Sequence, residues 1–420
     1  MLFASTFVAA LLTLGCAKST PGVTTITFWT IGHEGEVVQP LLREFERDHP
    51  AIRVALQQWP STAAHEKLLT AFAGNALPDV SQLGNTWIPE FATIGALEQL
   101  QPYVEAAASM PINDYFSGIW DSNVIEGHLF GVPWYVDTRL LFYRKDLLAR
   151  AGFAEPPRDW TQWQRQLTAV KAHAGPKAYA ILLPLNEAEP LLNLAIQEPD
   201  PLLKDDDTRG NFESAGFRHA FDFYISMFRN DWAPPLSDTQ ISNVWDEFAA
   251  GFYTFYISGP WNVTEFSNRL PPRLAHDWGT APLPGPNGPG AAIGGGSSLV
   301  MFKTSQHKRE VWQLIEFLSQ PKSQLRFHAL SGDLPPRRSA WGDPTLANDP
   351  YAKAFRDQLE RVKSAPKVPE WERITQEIRL TTERVVRGGE QIDIALRDLD
   401  ARTDAILAKR RWMLANRSTP

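Results

Sequence analysis

Residues 24–30 read Thr-Thr-Ile-Thr-Phe-Trp-Thr. Ile26 and Phe28 fall on one face of this run, the period-two pattern of a strand. Outward from it, residues 36–49 read as a helix with Val38, Leu41, Leu42 and Phe45 on one side, ended by Pro50. Residues 52–58 form the next strand. Ser61 opens a helix carrying Leu68, Leu69 and Phe72 that ends near Gly74. Residues 79–83 are a short strand, and residues 87–94 a helix stopped by Gly95. Strand, helix, strand, helix, strand predicts a parallel sheet and an α/β fold.

The alternation continues. Residues 140–143 read as a strand, and Asp159 precedes a helix with Trp160, Trp163, Leu167 and Val170 on one face. Residues 178–183 are a strand, 217–228 a helix, and 253–258 a strand ending at Gly259-Pro260. Residues 282–290 are rich in Pro and Gly and read as a linker. Residues 299–302 are a strand. Residues 371–413 read as two helices broken at Gly388-Gly389. No fixed-period repeat occurs.

The chain of 420 residues has room for two or three domains at about 150 residues each. It is 43% hydrophobic and 21% charged, so it is neither disordered nor fibrous. Lys+Arg number 41 and Asp+Glu 48, a net charge of −7, which argues against a binder that tracks nucleic-acid phosphates. One cysteine excludes an intramolecular disulfide framework and a thiolate zinc site. His33, His49 and His65 are too far apart for a helical ligand pair, so no metal or cofactor is expected. No Gly-x-Ser-x-Gly nucleophile motif occurs.

Residues 2–14 are apolar or small and carry no charge. They are too short for a typical membrane-spanning helix of about 20 residues, and read as the core of a signal peptide over residues 1–15. Gly15-Cys16 resembles a bacterial lipobox, which implies lipidation of Cys16 and a polar tether over residues 16–23. The alternative is an ordinary secretory signal cut beyond Cys16. Either way the chain is expected to be exported, to the periplasm or cell envelope.

Several stretches together resemble the extracellular solute-binding proteins of bacterial ABC sugar importers, the maltose-binding-protein-like group. They are Ile26-Thr27-Phe28-Trp29-Thr30, Gly127-His128-Leu129-Phe130-Gly131-Val132-Pro133 and Leu140-Leu141-Phe142-Tyr143-Arg144-Lys145-Asp146. Ser258-Gly259-Pro260-Trp261, Gly294-Gly295-Gly296-Ser297-Ser298-Leu299 and Gly332-Asp333-Leu334-Pro335 complete the set. The resemblance implies a two-lobed periplasmic-binding-protein fold with several hinge crossings. Lobe one would span 24–136 plus 290–331, and lobe two 137–289 plus 332–420, with 282–290 at a crossing. Ligand would bind between lobes that close by hinge motion. The implied partners are a sugar and the membrane subunits of an ABC permease. The chain would act as a monomer held to the membrane by its lipid alone.

A sugar offers hydroxyls and flat C–H faces, so its site interleaves carboxylates, amides and arginines with Trp or Tyr. Tyr135 and Asp137 leave the same face of an extended segment, one as platform and one as acceptor. Their alternative is a hinge-entry turn with a solvated Asp. Trp261 follows a strand's carboxyl end, where loops point into a ligand crevice, or else packs in the core. The resemblance assigns a sugar-binding acid to Asp137 and a stacking aromatic to Trp261. It adds a helix-borne aromatic at Trp371, a polar contact at Glu34 and a hinge arginine at Arg337. Core packing, a helix-dipole carboxylate and a salt bridge elsewhere are their respective alternatives. Gly84 stands where the family often has Asp, so Asn85 is a candidate substitute. Trp87 is platform or helix-face core, and Asn186 a polar contact from lobe two. The glycines 294–296 lack the Lys and Ser/Thr of a phosphate loop. Where relatives often carry an aromatic there, this chain leaves room.

The implied ligand is an α-linked glucose disaccharide such as maltose or trehalose. A secreted glycoside hydrolase, which also sets carboxylates beside aromatics, is the alternative from another class. The same fold binding a polyamine or a sugar phosphate is a third.

Overall fold

The computed structural model describes residues 22–241 and 243–417. The signal-like segment and Cys16 lie outside the described residues. Strands β1 (Thr24–Ile31), β2 (Ile52–Trp59) and β3 (Val80–Gly84) open the chain. β1 pairs in parallel with β2 along its whole length and with β3 at Phe28 and Trp29. Ile26 and Phe28 are fully buried, as the alternation requires. The first long helix is Gln39–Asp48, shorter than expected, because Pro40 occupies its first turn. There the missing N–H costs nothing. Glu34–Val37 forms a separate turn before it. In the helix Ser61–Ala73 the buried stripe is Ala64, Leu68 and Ala71, and Phe72 points outward.

Seven further strands matter for the site: β4 (Val132–Thr138), β5 (Leu140–Arg144), β6 (Tyr179–Leu182), β7 (Tyr253–Ser258), β8 (Trp278–Ala281), β9 (Ala292–Met301) and β10 (Val362–Lys363). One sheet runs β10-β9-β3-β1-β2, with β4 also paired to β9; the other runs β8-β5-β7-β6. Each sheet has its own apolar layer. Phe28, Phe45, Trp134 and Phe327 pack together beside the first. Trp163, Phe221, Phe255 and Trp371 pack beside the second. The result is a mixed α/β molecule of two lobes.

Asp159 caps the helix Trp160–Ala174 by accepting the Gln162 N–H at 2.7 Å, and Trp160, Trp163, Leu167 and Val170 are all buried. Within residues 282–290, Pro284–Gly285 and Gly288–Pro289 pair as a small hairpin. β9 begins seven residues before the expected strand, because the glycine run lies inside it. The C-terminal region holds three helices, Trp371–Gly388, Ile392–Ile406 and Ala408–Arg417. Gly389 ends the first at φ 66°. The second break, at buried Leu407, has no Gly or Pro to announce it.

Isolated antiparallel bridges join Val136 to Leu334 and Tyr115 to Arg337, tying segments about two hundred residues apart. Arg337 is buried. Its Nε donates to Asp114 at 2.6 Å, and its Nη1 to the Ser109 and Ser319 carbonyls at 3.1 and 3.2 Å. The Asp114 carboxyl is held below its usual range because bonds from Ser339 and Arg337 outweigh the desolvation that would raise it. Arg337 is therefore a staple between distant segments, the salt-bridged alternative, with its guanidinium committed to Asp114 and two carbonyls. Removing one partner of a buried pair costs about 3–5 kcal/mol. Arg337→Ala should lower the urea midpoint accordingly. An unchanged midpoint would show that the staple carries no stability.

Candidate functional site

A cavity of about 270 Å³ opens where β3, β4, β9 and the helices Glu189–Ala195 and Trp371–Gly388 meet. Asn85, Trp87, Asp137 and Trp371 line it, with Arg139, Glu189 and Glu372. β9 creates its floor. Gly295 lies opposite Asp137 and Gly296 opposite Val136 in the β4–β9 ladder. Gly296 has φ 103°, and a side-chain carbon there would come within 2.4 Å of the Tyr135 carbonyl oxygen. The glycine run thus serves close strand pairing and leaves the floor bare.

Asp137 accepts from Arg139 Nη1 at 2.8 Å, and Arg139 also donates to Glu189. Asp137 keeps 27% of its side chain exposed, against 17% for Arg139. The Arg139 guanidinium lies 4.6 Å from the centroid of the Trp261 ring. Trp261 is 41% exposed at the start of the helix Trp261–Arg269, so it is not a core residue. Trp87 is half buried beside His65, 4.9 Å between ring centroids. Trp371 is packed in the apolar layer beside the second sheet and meets the cavity from there. Next to it, Glu372 accepts from the Thr86 hydroxyl at 2.8 Å, a contact between the two walls.

Other expected residues take supporting places. The Tyr135 ring is buried against Trp134 and Phe327, so it is no platform for a ligand. Its hydroxyl donates to Glu34 at 3.0 Å and accepts from Gln82 and Ser297, each at 3.0 Å. It positions Glu34, which is half buried and does not line the cavity. Asn85 donates to the Gly295 carbonyl at 3.2 Å and accepts from Ser298 at 3.0 Å, which ties its amide to the floor. Asn186 accepts the Asp238 backbone N–H at 2.8 Å and lies outside the cavity, its amide oxygen used in its own loop. Arg337, as described, is not brought to the cavity.

Arg139, Glu189 and Glu372 line the cavity without being among the expected residues, and Glu187 and Asp333 lie outside its lining. Arg139 was within reach, since one more step of the period that links Tyr135 to Asp137 arrives at it. Burial alone would lower the Arg139 guanidinium, but Asp137, Glu189 and Glu187 outweigh it and hold it above its usual range. Burial pushes the Asp137 carboxyl up, against the pull of Arg139. Glu187 is pushed up to about 7 by burial, helped by Glu189 and Asp238 and opposed by Arg139. Asp333 is pushed up to about 7 by burial and then by Glu34. Carboxylates outnumber cations on these walls. Among the described residues no His/Cys/Asp/Glu group is placed to hold a metal ion, and no helix is long and apolar enough to cross a membrane.

A family model for bacterial extracellular solute-binding proteins matches residues 31–325. The chain belongs to that family. This solute-binding protein is similar to the sugar-binding protein MalE from the phytopathogen Xanthomonas citri, at 60% identity and a TM-score of 0.92, over 93% of this chain and 99% of that one. A putative binding protein of Brucella abortus is 26% identical over 89% of this chain and 90% of its own length. An uncharacterized lipoprotein of Streptomyces antibioticus is 26% identical over 87% and 84%.

The raised carboxylates set a pH dependence. Free Glu and Asp titrate near about 4.3 and 3.9, whereas Glu187 and Asp333 titrate near 7 in the fold. Between those values the folded state binds more protons, so stability falls as pH rises through the window. The lowered carboxyls of Asp114, Asp146 and Glu360 act oppositely, but only below about pH 4. The ligand-free protein should therefore melt higher at pH 5 than at pH 7.5. Glu187→Gln and Asp333→Asn should each flatten that slope. A melting temperature that climbs with pH across the window would contradict the assignment.

Proposed function

We propose that the protein captures an α-linked glucose disaccharide, maltose or trehalose, in this cleft and delivers it to the transmembrane subunits of an ABC importer. The observation that carries the reading is the convergence of Asp137 and Arg139 with the indoles of Trp87 and Trp371 around one bare floor, with Trp261 beyond the lining and joined to it through Arg139. Charged acceptors and flat apolar rings are what hydroxyls and C–H faces require. At about 270 Å³ the cavity falls just below the roughly 300–1,000 Å³ usual for small-molecule sites, so it favours a small ligand of one or two sugar rings. A larger cavity of about 490 Å³, walled by Tyr143, Pro157, Pro282 and Lys353 among others, shares none of these residues. The 60%-identical relative is itself named a sugar-binding protein.

The surplus of carboxylates on the walls favours a second reading, a polyamine, and argues against a sugar phosphate. A calorimetric panel of maltose, trehalose and spermidine separates these readings. Sugar binding with recovery of unaltered sugar supports capture. Release of glucose would instead support a hydrolase, and spermidine binding alone would replace the sugar.

For the sugar that binds, Asp137→Asn should weaken affinity by about 1.5–3 kcal/mol, the worth of a charged hydrogen-bond acceptor. An unchanged dissociation constant would remove Asp137 from the site. Capture by lobe closure also requires the radius of gyration to shrink on saturation, which X-ray scattering reads directly.

The proposed exported form is a lipid-anchored monomer, with residues 24–136 plus 290–331 as one lobe and 137–289 plus 332–420 as the other. Cys16→Ser should release it from the membrane fraction. An unmodified Cys16 in the mature wild-type chain would leave export intact and refute the anchor.

A further inference from the structure

Trp261 is hemmed in from two directions. A side-chain carbon built on Gly259 would fall 2.0 Å from the six-membered ring, so the indole is seated directly on that glycine. The Arg139 guanidinium lies over the ring, 4.6 Å from its centroid. Arg139 is held there by Asp137 at 2.8 Å and by Glu189. A sugar that stacks on the indole and also reaches Asp137 needs the space the guanidinium fills.

We propose that Arg139 is a built-in occupant of the Trp261 platform, which a ligand gains by moving the guanidinium off the indole. The inference rests on the sugar-capture reading of the same cleft. Asp137 and Glu189 keep the displaced charge paired, so the motion exposes no lone buried cation. Every ligand then competes with a cation–π contact already made. A molecule with a flat C–H face replaces that contact with its own. One that offers hydrogen bonds alone does not. A cationic ligand reaches the indole only against the repulsion of Arg139. Arg139 is thereby a specificity-determining residue that selects neutral ligands with apolar faces.

The test has two arms. In protein labelled with 5-fluorotryptophan, Trp261→Phe identifies the Trp261 fluorine resonance. In ligand-free protein, Arg139→Ala should move that resonance and enlarge its shift between H2O and D2O. A resonance that stays put means that no guanidinium covers the ring in solution, and overturns the proposal. In calorimetry with maltose, Arg139→Ala should bind about two- to fivefold tighter than wild type, the worth of an exposed cation–π contact. Arg139→Lys, which keeps the charge and loses the planar cover, should fall between them and guards against a folding defect in the Ala variant. Equal or weaker binding by both variants overturns the proposal, because Arg139 would then serve the bound sugar as a donor. If the wild type binds neither maltose nor trehalose, the sugar reading fails, and the fluorine arm alone decides whether Arg139 covers Trp261.

Discussion

The cleft depends on one strand. β9 pairs with β3, β4 and β10, so the opening β-α-β unit, the strand that carries Asp137 and a piece of the later chain are joined through it. That triple pairing demands close backbone approach, and the glycines 294–296 permit it. Their missing side chains then become the bare floor between Trp87 and Asp137. A single requirement of backbone packing thus produces both the sheet and the space in which a ligand fits. Ser297 and Ser298, next along the strand, anchor Tyr135 and Asn85.

Electrostatics on the wall around Asp137 and Glu189 are organised by one cation. Arg139 compensates Asp137 and Glu189 directly and bears on Glu187 as well. An arginine suits this place better than a lysine, because its planar fork holds two carboxylates and presents a face to an aromatic ring at once. Low solvent exposure strengthens such interactions, and Arg139 keeps only 17% of its side chain exposed.

Much of the fold was legible because it is written in local patterns. Ile26 with Phe28, and Trp160 with Trp163, Leu167 and Val170, show their periods plainly, and both sets are buried. The extent of β9 was hidden, since glycines carry no hydrophobic period and only pairing partners far along the chain make them a strand. Phe72 misled for the opposite reason: an apolar residue at helical spacing need not face the core when alanines already fill the stripe. Asp137, which lines the cavity, was visible as an acid in a telling place, whereas Trp261 stands outside the lining and reaches it only through Arg139. Arg337 and Asn186 were polar residues in similar places whose hydrogen bonds had been taken by neighbours. Nothing local distinguishes an arginine that awaits a ligand from one already bound to Asp114, because that aspartate is more than two hundred residues away.

The position of β9 in the chain also governs when the molecule can become itself. β1, β2, β3 and β4 all lie within the first 138 residues, yet the strand that joins β3 to β4 is not complete until Met301. Contacts of such long sequence separation form slowly. A chain emerging from the ribosome therefore carries its first sheet unfinished until nearly three-quarters of it has been made. For a protein of an extracellular family this delay is an asset. A chain whose first sheet closes only with β9 would stay unfolded, and so fit to pass a narrow pore, for most of its synthesis.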